Sequence, residues 1–184
     1  KFSSYQINLF GGFPHKEFYF FFQITPYKSY HGVEHHQSTV ILLGSCYDVF
    51  SKLYNEFLGI SSHELYHVWN VKSIRPTQMK PYEFSKENYT RLGYVIEGVT
   101  TYMGDRILYE SGVFSLKDYF SELETLLVRH FHNDGRNHYS VAESSWDTWL
   151  DGYVTGAPGR KVSIYVEGAL IAMICDAKIR EQTS

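Results

Sequence analysis

The stretch Ser62-His63-Glu64-Leu65-Tyr66-His67-Val68-Trp69 decides how this chain is read. A chain of this composition yields the pattern His63-Glu64-x-x-His67 by chance about 0.03 times, so its presence asks for a chemical reason. The apolar residues Leu53, Phe57, Ile60, Leu65, Val68 and Trp69 keep helical spacing from about Phe50 onward. Gly59 is a candidate break in that run, and Pro76 and Pro81 close the region. On a helix, residues four apart sit about 40° apart around the axis and ~6 Å apart along it. Both imidazoles then leave one face and can reach a single cation. Glu64 stands about 100° from His63, beside that cation, where a general base can take a proton from water.

A catalytic zinc takes three protein ligands and keeps one open position. Glu97 is the candidate for the third. It lies in Tyr94-Val95-Ile96-Glu97-Gly98-Val99-Thr100-Thr101, among apolar and small residues, where a carboxylate is costly unless paired or cation-bound. Gly93, Gly98, Thr100 and Thr101 would let a neighbouring helix approach closely. The competing reading is a solvated Glu at the edge of an amphipathic helix.

Outward from these residues, the first third reads as β. Phe18 to Ile24 and Ser38 to Leu43 are short runs rich in ring and β-branched side chains, and they predict buried strands. The intervening His31-Gly32-Val33-Glu34-His35-His36 reads as a polar turn. The later chain reads as helix over Asn88 to Leu108, Leu116 to Phe131 (capped by Ser115 with Asp118), about Glu143 to Leu150, and Val162 to Ile179. Gly152 to Gly159 reads as a loop. Strands first and helices after give an α+β class, with a small N-terminal antiparallel sheet over 1–48 and a mainly helical part over 49–184. The 184 residues predict a single domain.

Composition excludes several classes. Hydrophobic residues make up 43% and charged residues 20%, which rules out a disordered chain. Net charge is −3 and the pI near 6.3, so no basic excess points to nucleic acid or an anionic membrane surface. The longest apolar run, Ala169 to Cys175, is far short of the ~20 residues of a membrane helix. Cys46 and Cys175 make no disulfide framework and read as buried thiols. The expected setting is soluble, cytoplasmic or periplasmic. The first residues carry no signal-peptide pattern, and both ends read as an excerpt from a longer protein.

The run from His63 through Trp69-Asn70-Val71-Lys72-Ser73-Ile74-Arg75-Pro76 resembles the glycyl aminopeptidase family, thermolysin-like zinc peptidases that often carry a PDZ domain. Matches continue in order at Gly32-Val33-Glu34-His35, Tyr89-Thr90, Glu97-Gly98-x-Thr100-x-Tyr102, Val141 to Asp147, and Tyr165-x-x-Gly168-Ala169-Leu170. The resemblance implies a thermolysin-like catalytic domain with one Zn2+ held by His63, His67 and Glu97, and Glu64 as base. It implies that Glu34, with Gly32 and His35, binds the free amino terminus of a peptide. It also implies that Tyr165 donates to the oxyanion, and that small first residues are preferred. The expected partners are peptides and the family's remaining domains, an N-terminal β domain and a PDZ domain. Three positions depart from the family pattern: His31 replaces a Gly, Val33 a Leu, and Ser73 a basic residue.

Two alternatives stay open: an endopeptidase on the same scaffold, and a non-catalytic peptide-binding module with a metal. Among the remaining residues, His130, His132 and His138 read as surface groups. Arg75 reads as a structural ion-pair partner, and Trp69, Trp146 and Trp149 as packing residues. His31, His35 and His36 do not read as a second metal site, because a turn lacks the i, i+4 presentation of a helix.

Overall fold

The computed structural model describes residues 1–151 and 157–183, and it is α+β. The chain divides into two compact units, Lys1–Ile74 with Met103–Ser121, and Arg75–Tyr102 with Glu122–Ser184.

The first unit opens with helix α1 (Phe2–Leu9), which the sequence reading did not expect. Its eight residues carry little apolar periodicity, and its one buried side chain is polar, Gln6. Three strands follow: β1 (Tyr19–Thr25), β2 (Ser29–Glu34) and β3 (Ser38–Gly44), in the order β1-β3-β2. The expected polar turn at His31–Glu34 is therefore a strand. The sheet is mixed rather than antiparallel: β2 pairs antiparallel with β3, but β1 pairs parallel with it, because β2 is the return strand between them. Ile41 and Leu43 on β3 are fully buried. Helix α2 (Tyr54–Tyr66) runs through Gly59 unbroken. Leu65, Val68 and Trp69, at and just past its end, form a core with Phe2, Ile7, Phe13, Phe18 and Phe20 around it. Trp69 stacks on Phe10 at 4.4 Å, a packing role as expected.

The expected helix over Asn88–Leu108 starts later, in the second unit, and from Met103 on its residues belong to the first. Asn88 bonds the main chain of Glu83 and Lys86, and the Thr90 hydroxyl accepts from Leu92 N–H. Such local side-chain bonds compete with helix. Helical backbone begins with a π-turn over Tyr94–Gly98 and continues as α3 (Val99–Glu110). Helix α4 (Leu116–Phe131) has the expected bounds, and Ser115 and Asp118 cap it reciprocally. Then come α5 (Val141–Trp146), opened by a capping box of Ser140 and Glu143, and α6 (Thr148–Asp151). The last helix, α7 (Ile164–Thr183), extends past the expected end. Residues 152–156 of the expected loop lie outside the described residues.

Within the second unit α7 packs on the π-turn main chain to main chain. A methyl on Gly168 would sit 2.2 Å from the Tyr94 carbonyl oxygen, and one on Gly98 would sit 2.2 Å from Gly168 Cα. Only glycine permits that approach. Two side-chain expectations are corrected. Cys46 and Cys175 are exposed, not buried. His130 is half-buried and meets both carboxylate oxygens of Glu167 at 2.9 Å, tying α4 to α7. Arg75 lies over the Tyr82 ring at 5.9 Å.

Candidate metal centre

The site is built on the C-terminal end of α2. His63 lies on its last turn and His67 is its cap residue, still in right-handed helical conformation (φ −60°, ψ −18°). The preceding turn is pinned from two sides. Gln6 Nε2 donates to the Ser62 carbonyl at 2.9 Å and to its hydroxyl at 3.0 Å, and the hydroxyl donates to the Gly104 carbonyl at 2.8 Å. These buried bonds fix how far along its axis α2 presents His63.

The two imidazoles converge. His63 Nε2 and His67 Nε2 are 3.0 Å apart, and their rings meet edge to face. Asn70 sets the state of His67: its carbonyl lies 2.7 Å from Nδ1, and a carbonyl only accepts. Nδ1 therefore carries the proton, and Nε2 keeps its lone pair for a cation. Two ligand nitrogens about 2.05 Å from a tetrahedral zinc lie about 3.3 Å apart, so the pair is already close to the spacing a cation needs. His67 is 2% exposed, so the lone pair is shielded from bulk water. His63, Glu64 and His67 offer ligand atoms all within 4.8 Å of one another. The donor set and its tautomer fit a borderline divalent cation.

Glu64 is 5% exposed and lies against the sheet. The Thr39 hydroxyl, fully buried on β3, donates to Glu64 Oε2 at 3.1 Å. On β2, Gly32 faces the other oxygen so closely that a Cβ there would lie 2.1 Å from Oε1. Gly32 thus makes room for the Glu64 carboxylate. Glu34, two residues on, is half-buried and pairs with Lys72 Nζ through Oε1 at 3.3 Å. His35 is exposed, its Nδ1 turned back to the Val33 carbonyl at 3.1 Å. Beside the two histidines, burial pushes the Tyr66 phenol up to about 12, so it stays neutral.

The first unit therefore brings together His63, His67, Glu64, Gly32 and Glu34. Glu97 and Tyr165 belong to the second unit, both half-buried. Glu97 stands in the π-turn and Tyr165 on the first turn of α7. The Gly98–Gly168 contact joins the segments that carry them. Glu97 is not the fully solvated edge residue of the competing reading. Thr39 and Lys72 were missed as site residues. Thr39 gains its place only once β2 is seen as a strand, because the register sets it opposite Glu34.

The family model described as M61 glycyl aminopeptidase matches residues 56–171. Among solved structures, the chain is similar to a crystal structure of an aminopeptidase N family protein from Idiomarina loihiensis. The two are 34% identical with a TM-score of 0.90, over 99% of this chain and 32% of that one. The chain thus spans about a third of the length of that protein. No curated protein matches the chain.

Proposed function

Because the chain belongs to the M61 glycyl aminopeptidase family, we propose that it is the catalytic domain of a zinc-dependent aminopeptidase. Its substrates are peptides with a free amino terminus and small first residues, glycine or alanine. The carrying observation is the His63–His67 pair, with Nε2 atoms 3.0 Å apart and the His67 tautomer set by Asn70. The buried carboxylate of Glu64 beside that pair adds to it.

In this reading His63, His67 and Glu97 hold one zinc ion. When bound, the ion lowers the pKa of a water towards 7 and polarises the scissile carbonyl. Glu64 takes the proton from the attacking water through one carboxylate oxygen and later gives it to the leaving amine. The Thr39 hydroxyl keeps the other oxygen still during both transfers. The Tyr165 phenol donates to the oxygen on which negative charge develops, a contribution of a few kcal/mol. Glu34 pairs with the substrate's α-ammonium and so selects the first peptide bond. Further domains, an N-terminal β domain and a PDZ domain, complete the full-length protein.

The endopeptidase alternative draws on one observation, the Lys72 ammonium already seated on Glu34. Lys72 engages Oε1, and a carboxylate has a second oxygen to offer an amine, so the exopeptidase reading is preferred. No helix among the described residues is long and apolar enough to cross a membrane.

The test uses the full-length protein, assayed on glycyl and alanyl amides with and without a chelator, alongside metal analysis. The expected result is one zinc per chain and chelator-sensitive turnover. Glu64→Gln should retain zinc and lose about 10²–10⁴ in kcat. His67→Ala should lose the metal itself. A zinc-loaded protein that binds these amides without turning them over would instead be a binding module.

A further inference from the structure

The segment after α2 carries a residue to which the mechanism above gives no part. Val71 and Lys72 both donate their N–H to the His67 carbonyl, at 3.1 and 3.0 Å. Ser73 and Ile74 donate to the Trp69 carbonyl, and the Ser73 hydroxyl donates to Val68. The coil from 67 to 74 is thus wound onto the end of the metal helix with little freedom. From it the Lys72 side chain, 19% exposed, crosses to β2 and reaches Glu34 Oε1 at 3.3 Å.

These bonds close a circuit. His67 is joined through its own carbonyl to Lys72, and Lys72 through its ammonium to Glu34. Glu34 is paired in register with Thr39, which bonds Glu64, which lies on the same helix as His67. One side of this ring is the metal pair and the other is the carboxylate read as the amine anchor. Two side-chain contacts close it, Thr39 to Glu64 and Lys72 to Glu34.

We propose that Lys72 is a positioning residue that fixes the distance between the metal centre and Glu34, and so sets which peptide bond is cut. The proposal rests on the reading of Glu34 as amine anchor. A half-buried carboxylate held at one oxygen keeps one rotamer, and its other oxygen then points at a fixed place. Exopeptidase register depends on that place to within about 1 Å, because a misplacement of that size costs about 10²-fold in rate. Losing Lys72 also removes a positive charge beside the incoming ammonium. The substrate is therefore held no more weakly, and the loss falls on kcat rather than on KM.

The experiment compares wild type, Lys72→Met, Lys72→Arg and Glu34→Gln in the full-length zinc-loaded protein. Each is assayed on a glycyl peptide and on its N-acetylated form, with cleavage products identified by mass. For K72M the expected result is a fall of about tenfold or more in the ratio of free-amine to N-acetyl turnover. That fall lies in kcat, KM does not rise, and dipeptide products appear. K72R should restore the ratio and the single-residue product. General damage to the fold would lower both substrates alike and leave the ratio untouched. If K72M retains the wild-type ratio and product while E34Q loses them, Lys72 has no positioning role. If E34Q also retains them, the amine-anchor reading fails and the proposal falls with it. Should K72M fail to fold, Lys72→Gln serves the same comparison.

Discussion

Replacing Gly32 by Ala tests the contact between sheet and base at its narrowest point. The added methyl would lie 2.1 Å from Glu64 Oε1, 2.6 Å from its Cδ and 3.0 Å from its Cγ. A carbon–oxygen contact is repulsive below about 3.2 Å, so the carboxylate must retreat by about 1.1 Å. The same movement disturbs the 3.1 Å bond that the Thr39 hydroxyl donates to Oε2, the other oxygen. A base displaced by ~1 Å loses about 10²-fold in rate, or about 2.7 kcal/mol of transition-state stabilisation. The imidazoles of His63 and His67 are untouched, because the contact involves neither. The assay is kcat on glycyl amides beside zinc content and thermal midpoint for G32A. The expected outcome is full zinc and a kcat lowered by about two decades. Wild-type kcat in a folded, zinc-loaded G32A protein would refute the claim that Gly32 sets the position of Glu64.

Gly168→Ala forces a methyl to within 2.2 Å of the Tyr94 carbonyl oxygen, a main-chain atom that cannot swing away, so the urea midpoint should fall by the equivalent of about 1–3 kcal/mol. An unchanged midpoint would show that α7 and the π-turn separate freely. Ser140→Ala removes the capping box of α5 and should cost about 1 kcal/mol in the same measurement, whereas Ser140→Asp, which can still cap, should cost much less. Acid should destabilise the fold: hydroxyl bonds from Ser45, Ser115 and Ser140 depress Asp48, Asp118 and Glu143, and the Lys161 bond depresses Asp151. A depressed carboxyl contributes stability that is present above its unfolded pKa and lost as pH falls through the folded one. The midpoint should therefore hold near neutrality and drop below about pH 4. A midpoint that rises on acidification would contradict that sign.

The helices were legible where one side-chain face decides the structure. α4 could be bounded from Ser115, Asp118 and the apolar period alone, because its cap is local and uses residues three apart. The start of α3 could not. Asn88 and Thr90 draw their neighbours' main chain into side-chain bonds, and the apolar spacing of Tyr89 and Leu92 continues regardless. α1 was hidden for a related reason: what it buries is Gln6, whose partner Ser62 is 56 positions away. No local pattern encodes a bond of that span.

β2 shows why function itself obscures a strand. A half-buried strand announces itself by apolar residues at every second position. In β2 Gly32 and Glu34 stand in register with buried Ile41 and Thr39, whereas Tyr30, opposite Leu43, is 61% exposed. Gly32 must lack a side chain because Glu64 occupies its space, and Glu34 carries a charge that Lys72 meets. The two positions that should have carried the hydrophobic alternation are thus taken by the site, and the segment reads as a polar turn. β3 lies beside it in the same sheet as an apolar run, Val40 to Leu43, with Thr39 the one polar residue on its inward face, and Thr39 is the residue that touches Glu64. On both strands, departure from strand patterning coincides with Glu34 itself or with contact to Glu64, the two carboxylates of the proposed mechanism. Helix α2 escapes this conflict. His63 and His67 sit at i and i+4, the same interval that buries an apolar face, so the proposed chemistry and folding ask for the same spacing there.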